Sequence, residues 1–382
     1  MTSLPRPALS AALDGCTIVI AVDRRSSELA AALERHGAQV RHAPALTIVP
    51  HIDDDALIEA TRELIAQQPE IVVATTGVGF RGWMEAADEA GLLDDLHAAL
   101  SRAQIVARGP KARGAIQQAG FTADWVAESE TSAELGEYLL AEGVARRRVA
   151  VQHHGSGADG LDELFAQAGA DVVSLTVYRW GPPPDPAVVC RSVSTTAQGE
   201  VDAVLFTSAP GAAEWLAAAA REGVLDDIVD LAASGRVLMA AVGPITAEPL
   251  RAVGIAPLIA ERGRLGSLVR AVVTHFGGGH AASLPTNAGR LELRSTGVVI
   301  DGRHVPLSRT GTDILASLFE AGGGVVSRAR LQNALPRSGE NTHAVEMAVA
   351  RLREAIGVPD LIKTVVKRGY RLNVLDPVEA TA

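Results

Sequence analysis

Residues 69–100, PEIVVATTGVGFRGWMEAADEAGLLDDLHAAL, return 132 positions later as residues 201–232, VDAVLFTSAPGAAEWLAAAAREGVLDDIVDLA. Thr76 aligns with Ser208, and Asp94-Asp95 aligns with Asp226-Asp227. The flanks repeat as well. TIVIAVDRRSSELAAALERHGAQVRHAPALTIVP (17–50) has the layout of RRVAVQHHGSGADGLDELFAQAGADVVSLTVYRWGP (147–182), with Gly37 and Gly169 at equivalent helix ends. IVARGPKARGAIQQAGF (105–121) answers MAAVGPITAEPLRAVGI (239–255) at an offset that has grown to 134. Ordered matches at nearly one offset indicate an internal duplication.

Each half carries short Val/Ile/Leu/Ala runs, such as 17–21, 71–74 and 201–206, followed by helical patterns such as 27–36 that end at glycine. Uninterrupted apolar strands suit a parallel sheet covered on both faces, and their alternation with helices predicts two doubly wound α/β units. In such sheets ligands bind beyond the carboxyl ends of the strands. The loops there carry Asp23-Arg24-Arg25, Thr75-Thr76, Arg108-Gly109-Pro110 with Lys111, His153-His154, Thr207-Ser208 and Gly243-Pro244. Two such units are expected to face each other across a cleft.

Composition sets the outer limits. The 382 residues are 47% hydrophobic, which predicts sizeable cores rather than a disordered chain. No uninterrupted apolar run approaches the ~20 residues of a bilayer span, and the N-terminus lacks a secretory pattern. Cys16 and Cys190 are too few for a disulfide framework, as expected of a cytoplasmic protein. The formal net charge of −10 argues, as an average, against a phosphate-backbone partner.

The ordered motifs of residues 15–276 resemble uroporphyrinogen-III synthase. They are LFTSAPGA (205–212), its partner ATTGVGF (74–80), AVGPITAEPLRAVG (241–254) and the return strand LTVYRW (175–180). The resemblance implies two α/β domains joined by a two-strand connector. The first would be discontinuous, residues 1–45 with 183–278, and the second would span 48–178. It also implies cyclisation of hydroxymethylbilane without a cofactor, the cleft taking an anionic small molecule or tetrapyrrole at helix N-termini and hydroxyls. The family's cleft tyrosine falls on Tyr178 and its second helix-start threonine on Thr246. The first helix-start threonine is replaced by Ala112, which counts against catalysis.

Plainer roles stand beside these. N-capping alone accounts for Thr75, Thr76, Thr207 and Ser208, and Tyr178 could be a packing residue that keeps its hydroxyl wet. His153 and His154 read as loop histidines or, more sharply, as ligand or metal contacts. Arg24 and Arg25 could hold an anion at the next helix N-terminus. No other His/Cys/carboxylate cluster has metal-site spacing, and no Walker or GxGxxG loop is present, so neither metal nor cofactor is expected.

After Phe276, GGGHAASLPTNAG (277–289) reads as a linker, taken as 279–289. The pattern then changes. LELRSTGVVIDGRHVPLS (291–308) predicts a β-meander turning at Asp301-Gly302. Helices are predicted over 312–323, 327–335 and 342–357, the last with an apolar stripe of Val345, Val349, Leu352 and Ile356. A hairpin closes the segment at 361–374.

Residues 290–376 resemble the winged helix-turn-helix domain of the OmpR/PhoB type, through VVSRARL, AVARLREAIG and TVVKRGYRL. The resemblance implies double-stranded DNA as partner, with the third helix in the major groove and the wing in the minor groove. It places His343, Arg351, Arg353, Lys367, Arg368 and Arg371 on the DNA. Ala348 and Ala350 stand where polar residues are usual, so binding is expected to lean on a homo-oligomer or a second transcription regulator. No receiver-domain motif precedes the module. The sign of charge splits accordingly: residues 286–376 hold 13 basic and 9 acidic side chains, whereas 1–285 hold 22 and 35.

The expectation is a transcription regulator whose synthase-like part is a sensor or scaffold. Fusions of this kind resemble regulators of high-GC actinobacteria, some acting in nitrate and nitrite assimilation. The alternatives are a bifunctional uroporphyrinogen-III synthase and a degenerate synthase serving as an interaction platform.

Overall fold

In the computed structural model of the chain, the described residues are 9–23, 25–50, 55–153, 159–333, 335 and 342–375. They divide into two compact units, residues 1–46 with 183–382 and residues 47–182.

The first unit begins with β1 (Thr17–Ile20), α1 (Ser26–Glu34) and β2 (Gln39–His42). The chain then builds the second unit: β3 (Thr47–Pro50), α2 (Asp55–Ala66), β4 (Ile71–Ala74), α3 (Gly77–Glu89), α4 (Leu93–Leu100), β5 (Gln104–Ala107) and α5 (Pro110–Gln118), then β6 (Trp125–Val126), α6 (Ser132–Glu142), β7 (Arg148–Gln152), α7 (Leu161–Gln167), β8 (Asp171–Leu175) and β9 (Tyr178–Gly181). It returns to the first unit with α8 (Pro186–Ala197), β10 (Ala203–Phe206), α9 (Ala209–Arg221), α10 (Leu225–Ala233), β11 (Leu238–Ala241), α11 (Pro244–Ala252), β12 (Leu258–Ile259) and α12 (Leu265–Gly277).

The sheet of the first unit runs β12-β11-β10-β1-β2 and that of the second β6-β5-β4-β7-β8, all strands parallel. The two orders are the same topology, so the repeat in sequence is a repeat in fold. Of the connector strands expected at 45–50 and 173–180, β3 and β9 pair antiparallel, with Val49 opposite Arg179, whereas residues 173–175 belong to β8 of the parallel sheet. β1, β4 and β10 are buried on both faces, as parallel strands under helices must be.

Equivalent residues hold equivalent places. Thr76 accepts a hydrogen bond from Gly79 N at 3.1 Å to cap α3, and Ser208 accepts one from Gly211 N at 3.2 Å to cap α9. Gly37 (φ 97°) and Gly169 (φ 83°) take the left-handed conformation after their helices. Trp83 and Trp215 are both fully buried, and their indole N–H groups donate to Thr61 and Ser192 at 3.0 and 2.9 Å.

The first unit continues into a smaller body with its own core. A sheet of order β13-β14-β15-β16 comprises β13 (Ser283–Thr286), β14 (Gly289–Arg294), β15 (Gly297–Ile300) and β16 (Arg303–Pro306). Then follow α13 (Arg309–Glu320), α14 (Arg328–Gln332), α15 (Thr342–Ile356), β17 (Ile362–Val365) and β18 (Gly369–Leu372). Asp301 (φ 46°) and Gly302 (φ 78°) make the left-handed turn between β15 and β16. Part of the stretch read as linker is therefore strand β13. Among the described residues, no helix is long and apolar enough to cross a membrane.

Candidate nucleic-acid interface and strand-end residues

The C-terminal body is a helix-turn-helix with a wing. Ser327 caps α14 by accepting from Arg330 N at 3.2 Å. The stripe Val345, Val349, Leu352 and Ile356 buries α15 against the core formed with Ile314, Leu318 and Tyr370. That leaves His343, Glu346, Met347, Ala350, Arg351 and Glu354 exposed on the opposite face. The wing turns at Lys367 in the left-handed conformation (φ 61°), and Val366, Lys367 and Arg368 are all exposed. Gly369 is required there, because a Cβ would run into the carbonyl oxygen of Val326.

The basic residues expected at DNA separate into two groups. Arg351, Lys367 and Arg368 are free on the surface, and His343 stands exposed at the helix start, 3.7 Å from Glu346. Arg353 turns inward instead. Its guanidinium donates to the Ile362 carbonyl at 3.0 and 2.6 Å and to Thr364 Oγ1 at 2.9 Å, so it braces α15 against the wing. Arg371 is half-buried on β18, opposite Lys363. Exposed Met347 and Val366 add an apolar element beside the cations.

At the carboxyl ends of the strands in the second unit, Thr75 is buried and donates to the Gln152 carbonyl at 2.8 Å. Both its hydroxyl and that of Thr76, which caps α3, are engaged within the fold. Arg108 is half-buried at the end of β5, and burial lowers its pKa against the pull of Tyr178, Asp159 and Glu130. The next residue, Gly109, starts α5 without a side-chain cap, and Lys111 is exposed in that first turn. Tyr178 is buried, with its ring edge-on to Trp180 at 5.5 Å.

His153 is buried and clamped. Its Nε2 lies 2.9 Å from both carboxylate oxygens of Asp162, and its Nδ1 lies 3.3 Å from Asp159 Oδ1. Burial opposes its charge, but the two carboxylates outweigh it and raise the pKa to about 9. His153 is thus a cation held by two acids. The nine-residue spacing to Asp162 was the signal available for this. Among the described residues, no group of three His, Cys, Asp or Glu side chains is arranged to hold a metal.

In the first unit, Ser208 caps α9 and Thr207 is half-buried beside it. Thr246 is buried in the first turn of α11, whose Gly243 start likewise lacks a side-chain cap. Arg25 is exposed, left-handed (φ 56°) and paired with Glu28 at 2.7 Å. Arg24 and His154 lie outside the described residues.

The model of the uroporphyrinogen-III synthase HemD family matches residues 27–270, and that of "transcriptional regulatory protein, C terminal" matches residues 302–372. The uncharacterized protein YjjA of Bacillus subtilis is 28% identical over 265 residues, covering 69% of this chain and 96% of that one. A putative uroporphyrinogen-III synthase of Methanothermobacter thermautotrophicus is 27% identical over 260 residues, covering 66% and 95%. Among solved structures, a mutant uroporphyrinogen III synthase from Thermus thermophilus is similar at a TM-score of 0.56 and 31% identity, covering 67% of this chain and 98% of that one.

Proposed function

The chain belongs to the uroporphyrinogen-III synthase HemD family and ends in an OmpR/PhoB-type DNA-binding domain, and from this fusion we propose a transcription regulator whose synthase-like part is its sensor or scaffold. The observation that carries the reading is the exposed face of α15 with its wing, where Arg351, Lys367 and Arg368 stand free in a chain that is otherwise acidic. An acidic body repels the duplex except at this module, which orients binding. With Ala348 and Ala350 on the reading helix, base contacts are few, so operator affinity relies on a homo-oligomer or a second regulator. With DNA as partner we infer a cytoplasmic protein, and the fusion type suggests nitrate and nitrite assimilation as its field.

Arg108, Lys111 and the uncapped start of α5 suit a carboxylate-bearing effector. Such a ligand acts only if it binds two states of the protein unequally. The test is electrophoretic retardation on the protein's own upstream DNA, with and without anionic effectors. Retardation by the wild type, lost in an Arg351→Ala/Arg368→Ala double variant, supports the reading; retention by that variant refutes this docking mode.

One observation favours a second reading, a working synthase: the buried phenol of Tyr178 lies within the electrostatic reach of half-buried Arg108. Turnover of hydroxymethylbilane that Tyr178→Phe abolishes would establish catalysis. With Ala112 at the first helix start, we expect none.

A further inference from the structure

Within the first unit, the winged-helix body meets the amino-terminal ends of β1, β10 and β11, and the contact is polar and buried. Asp202, 1% exposed and just ahead of β10, is its centre. Its Oδ2 accepts from Thr17 N at 2.7 Å, at the start of β1. Its Oδ1 accepts from Ser295 N at 2.8 Å, in the β14–β15 turn, and Arg236 lies 3.4 Å from the same oxygen. Ser295 Oγ is 2.8 Å from Thr17 Oγ1, and Thr296 Oγ1 donates to the Gly15 carbonyl at 3.0 Å.

Around this carboxylate the joint widens. Arg294, 2% exposed, lies over the Phe276 ring at 4.8 Å and pairs with buried Glu292 at 2.7 Å. His304 of β16 packs on Gly15, where a Cβ would strike its ring. Arg309 at the start of α13 pairs with Glu200 at 2.7 Å. Arg290 donates to the carbonyls of Gly279 and Ala281, holding the connecting segment itself.

A free-swinging reader would leave these groups to water. Here a carboxylate is withdrawn from solvent at a desolvation penalty that only its several donors repay, so the joint has one favoured geometry. None of His343, Arg351, Lys367 or Arg368 takes part in it, and all four are exposed.

We propose that the first α/β domain and the winged helix form one rigid arm, clasped by Asp202, with the DNA-reading face turned outward from the joint. Control of DNA binding then does not work by opening this joint to unmask the reader. The inference rests on the DNA-binding reading for its purpose, but the clasp is tested apart from it.

Full-length wild type, Asp202→Asn, Asp202→Ala and Glu70→Ala, the matching position of the other copy, are compared by amide hydrogen exchange and by affinity for a fluorescent duplex from the upstream region. Both Asp202 variants are expected to speed exchange about tenfold or more at Thr17 and Ser295, while in Asp202→Asn Val204 and Val349 stay protected and DNA affinity holds within about twofold. Glu70→Ala is expected to change none of these. Unchanged exchange at Ser295 in Asp202→Asn overturns the clasp. A rise in DNA affinity on undocking overturns the outward-facing arm, since it means the joint had masked the reader. If Asp202→Ala loses protection throughout, the milder Asp202→Asn decides. Failure of the wild type to bind the duplex counts against the DNA reading alone, because the exchange data still decide the clasp.

Discussion

Glu70 and Asp202 occupy the same place in the two copies of the α/β fold and have opposite fates. Each precedes the central strand of its sheet, and each backbone bonds alike: Glu70 N donates to the Arg148 carbonyl at 2.9 Å, Asp202 N to the Thr17 carbonyl at 2.8 Å. The Glu70 side chain is 57% exposed and meets Arg147 at 3.5 Å. The Asp202 side chain is 1% exposed under the winged-helix sheet. An acid at a strand start is an ordinary surface residue; covering it with a second domain turned one copy into a joint. The duplication thus carries its own control, since Asp202 accepts from Ser295 of the DNA-binding domain whereas Glu70 meets Arg147.

The largest effect expected from breaking this comparison is the loss of the buried acid. Asp202→Ala removes the acceptor of buried donors beside Arg236 and should destabilise the first unit by about 3–5 kcal/mol in a denaturant titration. Glu70→Ala should change stability by no more than about 1 kcal/mol, as for an exposed pair. Equal losses would erase the distinction.

Next, Trp83→Ala and Trp215→Ala should each cost about 3–5 kcal/mol, because both copies bury the indole in the same way. A large difference between them would show that the copies have diverged in packing as well as at their edges.

Titration separates the units by direction. His153 has its pKa raised to about 9, so its contribution to the second unit is complete below about 6.5 and is lost as pH rises through 9. His304 and His275 of the first unit have theirs lowered by burial. Arg294 lowers both further; Asp14 and Asp202 partly offset this at His304, while His280 adds to it and Glu292 opposes it at His275. Their contribution is present above about 6.5 and is lost as pH falls below it. Hydrogen exchange from pH 5 to 10 should therefore loosen the Ser295 joint on the acid side and the residues around Asp162 on the alkaline side. Loosening of both on one side would contradict the assignment.

The smallest effects are the caps. Thr76→Ala and Ser208→Ala should each lower stability by about 1 kcal/mol, and by similar amounts, in thermal melts.

The duplication could be read from the sequence because its signals are local. Left-handed helix ends need glycine, as at Gly37 and Gly169, and helix starts select hydroxyls, as at Thr76 and Ser208. The winged helix was readable for the same reason, through the stripe from Val345 to Ile356 and the turn at Asp301-Gly302. The joint was not. Burial of Asp202 depends on Ser295, 93 positions away, and nothing near Asp202 marks it. Nor did composition reveal strand β13. Its Pro285 lies on an edge strand, where a missing N–H is tolerated, so the stretch keeps the composition of a linker. The inward turn of Arg353 depends likewise on where the wing strand lies. The side chains proposed to read DNA, Arg351 and Arg368, are identified by position alone.

The measurement that tests the account most directly is the salt dependence of DNA affinity for full-length wild type and Arg351→Ala. The wild type should bind duplex DNA with affinity that falls steeply with salt. Arg351→Ala should bind more weakly, with a slope smaller by about 0.9, because one phosphate fewer is neutralised. Equal affinity and equal slope in the two proteins would contradict the claim that α15 is the DNA-reading helix.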